Sequence, residues 1–185
     1  FLALVMLCAS NTASATAISS EGNEFVLLKT APGKTSNIIW SKLLVNFIIS
    51  FLATLITFII LNIFLMPDVD KGLLDPGKLW LVFAYVIIIE CGLLLWSIQL
   101  DIVNPKLREF ANAQNKAEIK NSSSSILIGL LFSVIFSAIL IIVFFLKLPI
   151  GISAIILISV ALIFLGLRFY FLIEYRNAFF EDIQL

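Results

Sequence analysis

The sequence predicts an all-α integral membrane protein with four full transmembrane helices, the end of a preceding one, and a short cytoplasmic amphipathic helix. Of its 185 residues, 61% are hydrophobic and 13% are charged, whereas a soluble domain has roughly 45–50% and about 25%. Four apolar runs are each long enough to cross a hydrocarbon layer about 30 Å thick as a helix. None of them alternates as a barrel strand does, so helices are the structure that satisfies their backbone amides in lipid.

The composition also limits the chemistry. Twelve lysines and arginines balance twelve aspartates and glutamates, so no basic excess points to nucleic acid as a partner. The sequence has no histidine, which removes histidine-based triads, general bases and metal ligands. Cys8 and Cys91 lie in apolar runs, which gives no support for a disulfide or a zinc site. We therefore expect no enzymatic activity, no metal and no cofactor bound by this chain itself.

The elements follow from the breakers between the apolar runs. Residues 1–19 start inside an apolar stretch with no basic leader, and we interpret them as the end of a truncated membrane helix rather than a secretory signal. Prolines and glycines separate the later runs. In order, the chain is predicted to form a cytoplasmic segment (20–42), two membrane spans (43–66 and 79–100), a cytoplasmic loop (101–125), two more spans (126–146 and 150–172) and a cytoplasmic tail (173–185). The last two spans are joined so closely that they must form a tight antiparallel hairpin.

The distribution of cationic residues predicts the orientation. Nine of the twelve share one side of the predicted membrane: Lys29, Lys34, Lys42, Lys106, Arg108, Lys116, Lys120, Arg168 and Arg176. Only Lys71, Lys78 and Lys147 lie on the other side. Because loops rich in lysine and arginine stay in the cytoplasm, the C-terminus is predicted to be cytoplasmic.

The cytoplasmic segment is predicted to contain a short amphipathic helix over residues 20–29. Ser20 can cap its start, and Glu21 and Glu24 lie in its first turn, where negative charge is favourable. Pro32 follows in a turn that ends it. Spacing alone leaves two interpretations open, an interfacial anchor and a docking element.

The same segment resembles a known family. Glu21-Gly22, the run Phe25-Val26-Leu27-Leu28-Lys29, Pro32, Lys34 and Ser41-Lys42 resemble the segment after the second helix in permeases of type-2 ATP-binding-cassette (ABC) exporters. Residues 100–107, Leu-Asp-Ile-Val-Asn-Pro-Lys-Leu, resemble a feature of a bacterial branch of ABC exporter permeases.

The resemblance implies a permease subunit of the bacterial cytoplasmic (inner) membrane. It implies that Glu21, Phe25, Leu28, Lys29 and Pro32 couple the chain to a separate ABC ATPase subunit. ATP and Mg would be bound by that partner, and the other partners would be a second permease half, or a second copy in a homodimer, and the lipid bilayer. Two alternatives remain from the residues themselves. One is a non-transporting membrane scaffold or assembly factor with an interfacial anchor helix. The other is an intramembrane protease or transferase, which the sequence disfavours because it has no histidine and no paired carboxylates within a span.

A polar stripe follows the first span. Asn46, Ser50, Thr54 and Thr57 recur at helical spacing and share one face. This face is either a wall of a translocation pathway or a site of ordinary hydrogen bonds between helices, which are worth about 0.6 kcal/mol each in membranes. The spacing does not separate the two, and Asn62 lies on the opposite face.

A carboxyl group lies midway along the second span. Glu90 shares a face with Ser97 and Asp101, so this face is predicted to point into the bundle. An ionisable side chain there costs roughly 2.5–3.5 kcal/mol to insert, and its partner is expected to be the polar stripe or the missing half of the protein. Glu90 is therefore either a neutral buried carboxyl or part of a proton or cation relay.

Small residues mark a packing face on the third span. Gly129, Ser133 and Ser137 recur at every fourth position, which lets another helix approach closely. We expect this face to meet the fourth span or a second permease chain.

Overall fold

The computed structural model describes residues 13–25, 27, 35–70, 75–105, 107 and 120–182. Four α-helices make up most of this part of the chain: α1 (Thr35–Asp70), α2 (Pro76–Val103), α3 (Lys120–Phe145) and α4 (Ile150–Asp182). Two short 3-10 helices, Ala13–Thr16 and Ser19–Glu24, precede them. The described residues contain no strand, which confirms the all-helical class.

All four α-helices include a stretch that is long and apolar enough to cross a membrane. These stretches are Asn37–Leu65, Pro76–Val103, Ser124–Phe145 and Ile150–Glu174. The helices run further than the apolar runs, because α1 begins before residue 43 and α4 continues through most of the predicted tail, 173–185. Hydropathy marks where apolar surface stops, whereas capping and backbone hydrogen bonds set where a helix ends.

The two ends of α2 show this difference. At its start the Asp75 carboxylate accepts a hydrogen bond of 2.9 Å from the backbone N–H of Gly77, a capping interaction worth about 1 kcal/mol. Pro76 occupies the first turn, where its missing N–H costs nothing. At its end the backbone N–H of Asn104 donates to the carbonyl of Leu100 at 3.1 Å. Residues 101–103, at the start of the predicted loop 101–125, are therefore still helical.

The helix α2 lies at the centre of the bundle. Within an apolar window of 18 residues, 61% of the residues of α2 are buried, compared with 17% for α1, 33% for α3 and 22% for α4. The start of α1 lies at the same end of the bundle as the last residues of α2 and α4. We call this the proximal end, and the opposite one the distal end. One buried cluster lies towards each end, and both include residues of α2.

Aromatic side chains join the helices in the distal cluster. Tyr85 of α2 is fully buried, and its hydroxyl donates to the backbone carbonyl of Phe136 in α3 at 3.2 Å. Phe164 of α4 packs against Phe132 and Phe136, with ring centroids 5.0 and 5.1 Å apart. Offset and edge-on ring pairs of this kind add about 0.5–1.5 kcal/mol each beyond area burial.

A glycine permits the close approach of α4 to α2. A Cβ atom added to Gly92 would lie 2.5 Å from Cε1 of Phe164. Because the Phe164 ring is held between two other phenylalanine rings, it has little room to move aside. Only glycine fits this position without a shift of the helices.

The connection between α3 and α4 is the tight hairpin that its length predicts. The chain leaves α3 after Phe145 and enters α4 at Ile150. Lys147 has a φ of 50°, the left-handed region that ends many helices. The backbone N–H of Lys147 donates to the carbonyl of Phe144 at 3.1 Å, which closes the turn.

The segment before α1 begins as a 3-10 helix where an amphipathic helix is predicted. Residues 19–24 form this 3-10 helix, and the stretch contains Gly22 and Asn23, both poor helix formers. Phe25 and Leu27 are α-helical, and the other residues of the predicted helix 20–29 lie outside the described residues, so that helix stays a prediction. Most of the predicted end of a preceding helix, 1–19, lies outside the described residues, and the part that is described contains the 3-10 helix Ala13–Thr16.

Candidate functional site

The first candidate site is the segment 13–25, which lies against the proximal end of the bundle. We call it the proximal segment. Its side chains Ser14, Ala15, Ile18 and Ser19 are fully buried, and it packs on α1, α2 and α3. A stretch this short cannot fold alone, so its structure depends on the helices beneath it.

Asp101 ties the proximal segment to α2. Its side chain is fully buried, and one carboxylate oxygen accepts hydrogen bonds from the backbone N–H groups of Ile18 (2.6 Å) and Ser19 (3.0 Å). The other oxygen accepts from the Ser19 hydroxyl. These N–H groups open the 3-10 helix, so the carboxylate satisfies donors that the helix itself leaves unpaired. Hydrogen bonds to a charged group stabilise by about 1.5–3 kcal/mol each.

Lys42 ties the same segment to α1. Its Nζ donates to the backbone carbonyl of Ala17 at 2.6 Å and forms a salt bridge with Glu21. This is the only salt bridge within the described ranges of the chain. Both side chains are about a quarter exposed, so the charge attraction alone contributes about 0–1 kcal/mol. Glu21, expected to couple the chain to a partner, thus also contacts a helix of its own chain.

The remaining coupling residues fall into two groups. Phe25 is 1% exposed and belongs to the proximal core cluster, so its side chain packs against the protein's own helices. Leu28, Lys29 and Pro32 lie outside the described residues, and their expected roles stay predictions. Leu27 was not among the expected residues, yet it is 71% exposed, and its place in the Phe-Val-Leu-Leu-Lys run is the signal that could have found it.

The second candidate site is a buried polar pair between α1 and α2. The Thr54 hydroxyl donates to a carboxylate oxygen of Glu90 at 3.0 Å, and both residues are almost completely buried. Ser97 and Asp101 are buried as well, so the polar face of α2 does point into the bundle. This gives Glu90 a partner in the polar stripe, one of the two that its sequence position indicates.

The other residues of the polar stripe differ from one another in burial and in hydrogen bonding. Ser50 is buried like Thr54, whereas Asn46 and Thr57 are partly exposed. The Thr57 hydroxyl donates to the carbonyl of Ala53 in its own helix at 2.8 Å. Asn62 behaves in the same way towards Phe58, also at 2.8 Å. Whether the stripe lines a pathway stays a prediction.

The small residues of α3 face the interior. Ser133 and Ser137 are 1% and 2% exposed, and Gly129 is buried. The two serine hydroxyls donate to carbonyls of their own helix, that of Ser133 to Leu130 at 2.7 Å and that of Ser137 to Ser133 at 2.6 Å. The face is therefore occupied within this chain, where α3 packs on α2 and α4.

The third candidate site is an apolar groove in the proximal half of the bundle. A cavity of about 320 Å³ opens between α1, α2 and α4, and its lining includes Trp40, Phe47, Cys91, Leu94, Leu165 and Phe169. The rings of Trp40 and Phe169 lie 5.7 Å apart across it. Its lining carries no charged side chain, so the groove suits a hydrocarbon chain or another apolar molecule.

Comparison with known proteins adds no relative. No family model, no curated protein and no solved structure gives a significant match to the chain. Within the described residues no group of three or more aspartate, glutamate or cysteine side chains is placed to hold a metal ion.

Proposed function

We propose that the chain is a membrane-spanning permease subunit of a type-2 ABC exporter. It lies in the bacterial cytoplasmic membrane with the proximal end and the C-terminus in the cytoplasm. A separate ATPase subunit binds ATP and Mg and drives alternating access at the interface between this chain and a second permease half or a second copy.

The proposal is carried by the attachment of the proximal segment to two helices at once. The proximal segment, which contains Glu21 and Phe25 of the resembling run, is bonded to α1 through the contacts of Lys42 with Ala17 and Glu21. It is bonded to α2 through Asp101, which accepts from the backbone N–H groups just before Glu21, at positions 18 and 19. A displacement of this segment therefore acts on two membrane helices. Such a link is what a two-state transporter needs if nucleotide binding on a partner is to tilt its helices.

The apolar groove supports an apolar cargo. It lies between α1, which is mostly exposed, and the buried α2. A relative movement of α1 and α2 would open or close it. The buried Thr54–Glu90 hydrogen bond joins the same two helices further from the proximal end, so it restrains that movement.

The test is retention of an ATPase by the tagged chain. The chain is expressed in its source cells and extracted in a mild detergent, and the eluate is assayed for vanadate-sensitive ATP hydrolysis and for a polypeptide with an ABC signature sequence. We expect both with the wild type. Leu27→Ala, which removes an exposed apolar side chain two residues beyond the proximal segment, should reduce both at least about tenfold, as expected when a central interface residue is truncated.

The matched control is Leu146→Ala at the distal end. Leu146 is also an exposed leucine, at 60%, but it lies far from the proximal segment, so its variant should retain the ATPase. If the wild type retains no ABC ATPase even after crosslinking in intact cells, the permease proposal fails and the non-transporting scaffold takes its place. Equal loss in both variants would contradict the docking role of the proximal segment.

A further inference from the structure

A cation is held on aromatic rings near the proximal end of α4. The Arg168 guanidinium carbon lies 3.3 Å from the centroid of the Trp96 ring in α2. Phe164 and Phe171 flank it, with centroids 5.8 and 5.9 Å from the same carbon. Attraction between a guanidinium and aromatic faces is strongest for tryptophan and increases when the pair is removed from water.

The backbone and the third helix hold this arrangement in place. The Gln99 side-chain amide donates to the backbone carbonyl of Arg168 at 2.6 Å, which fixes α4 against α2 at this height. Phe132 of α3 also packs edge-on with Trp96, with ring centroids 5.6 Å apart. Arg168 therefore lies where α2, α3 and α4 meet, and stacking on Trp96 positions its guanidinium before any ligand arrives.

No described residue neutralises the charge of Arg168. Across the described ranges, the one salt bridge is that of Lys42 with Glu21, and no hydrogen bond from the Arg168 side chain is found. Its Nε is buried without an acceptor, while the residue as a whole is partly exposed. The terminal amino groups are consequently the donors that remain for a ligand, and a guanidinium offers them in a fork that matches a phosphate.

The height of Arg168 indicates where that phosphate comes from. The residue lies six positions before the end of the apolar stretch Ile150–Glu174, or about 9 Å along the helix, within reach of lipid headgroups for a long side chain. Trp96 and Tyr170 are aromatic residues of the kind that mark this boundary. Basic pockets between helices on the cytoplasmic side are characteristic binding sites for anionic headgroups.

We propose that Arg168, positioned by Trp96 and Gln99, binds the phosphate of an anionic phospholipid at the proximal boundary of the membrane. The site requires that the four helices cross a bilayer, but it does not require that the chain transports anything. A failure of the ATPase test would leave it standing, and its own failure would leave the permease proposal untouched.

The test compares thermal unfolding in two lipid environments. The full chain is reconstituted in nanodiscs of phosphatidylcholine alone and of phosphatidylcholine mixed with phosphatidylglycerol. A ligand that binds only the folded state raises Tm, and we expect the anionic lipid to raise it by about 2–4 °C for a chain of this size. Arg168→Gln should lose most of this rise. Each variant serves as its own baseline, so a lower starting Tm does not affect the comparison.

Two further variants keep the result interpretable. Arg168→Lys retains the charge but not the planar fork, so we expect a smaller but measurable rise. Lys147→Gln removes an exposed cation at the distal end and should keep the full rise. An equal rise in wild type and Arg168→Gln overturns the proposal, and so does an equal loss in Arg168→Gln and Lys147→Gln, because the effect would then be surface potential.

A last measurement separates lipid from free phosphate. Inorganic phosphate is added to the wild type in phosphatidylcholine nanodiscs, and no change in Tm is expected, because Arg168 lies within the apolar stretch, at the level that lipid headgroups reach and free phosphate does not. A rise that matches the one from phosphatidylglycerol would overturn the assignment to a lipid.

Discussion

The hydrogen bond between Thr54 and Glu90 shows how a single pair can determine the relation of two helices. Both side chains are buried, and no water is available in the middle of a membrane to replace a lost partner. Removing one partner therefore costs the desolvation of the other, about 1–3 kcal/mol and more if the group is charged.

We expect Thr54→Val to lower the free energy of unfolding by about 1–3 kcal/mol, because it deletes the donor and leaves the Glu90 carboxyl in place. The measurement is thermal unfolding in a fixed detergent. The control is Thr57→Val, the same substitution three residues further on, where the hydroxyl bonds only within its own helix, so its effect should be much smaller. In a Glu90→Met background, which has no side-chain oxygen to accept from Thr54, the penalty of Thr54→Val should shrink. Equal penalties for Thr54→Val and Thr57→Val would contradict the role assigned to the pair.

The burial of Glu90 could be predicted from the sequence, whereas the choice of Thr54 as its partner could not. Helical spacing places Glu90, Ser97 and Asp101 on one face, and burial of that face follows from the cost of exposing polar groups to lipid. The choice of Thr54 depends on the height and rotation of α1 against α2, which periodicity within one helix does not contain. Gly92 was missed for the same reason, since its role arises from a ring on α4.

At the scale of the element, the proximal segment depends on a distant acceptor. Its 3-10 helix begins with N–H groups that donate to Asp101, a residue 82 positions later than Ser19. Capping and charge in the local sequence predict a helix over residues 20–29, and its first turns form a 3-10 helix that is held by contacts from α1 and α2. Short segments are where such contacts most easily override local preference, because few intrinsic hydrogen bonds oppose them.

We expect Asp101→Ala to release the proximal segment without unfolding the bundle. Hydrogen exchange at the amides of Ile18 and Ser19 should become about 10- to 100-fold faster, since each loses a bond to a charged acceptor. Mass spectrometry of the peptide that contains them gives the rate.

The matched control for this experiment is Asp75→Ala. Asp75 is also an aspartate that accepts a hydrogen bond from a backbone N–H, but it lies at the distal end of the bundle. Its variant should leave exchange in the proximal segment unchanged. Unchanged exchange in Asp101→Ala as well would show that the carboxylate does not hold the segment.

At the scale of the whole molecule, number and type of helices were accessible from the sequence, whereas their arrangement was not. Apolar runs of membrane length and the breakers between them predict four helices. All four sequences are apolar on every side, so hydropathy does not reveal that α2 is central. Its position follows from contacts of Tyr85, Ile89 and Leu93 with the helices around it.

The orientation leads to a prediction for intact cells. If the lysine-rich side faces the cytoplasm, a membrane-impermeant maleimide added outside should label Lys147→Cys and spare Ser20→Cys. Both positions are exposed, so access to reagent and not burial decides the result. The substitutions are made in a chain whose Cys8 and Cys91 are replaced by alanine, and labelling after lysis confirms that Ser20→Cys is reactive. Labelling of Ser20→Cys alone in intact cells would show that the chain lies the other way round.

The left-handed turn at Lys147 makes α3 and α4 one unit of insertion. A fully extended chain would reach only about 18 Å from the Cα of Phe145 to that of Ile150, well short of a hydrocarbon layer about 30 Å thick. The end of α3 and the start of α4 therefore cannot lie at opposite faces of a bilayer, so the two helices enter together or not at all. Each such entry changes the number of crossings by two, so Lys120 and Asp182, the outer ends of the pair, always share a compartment.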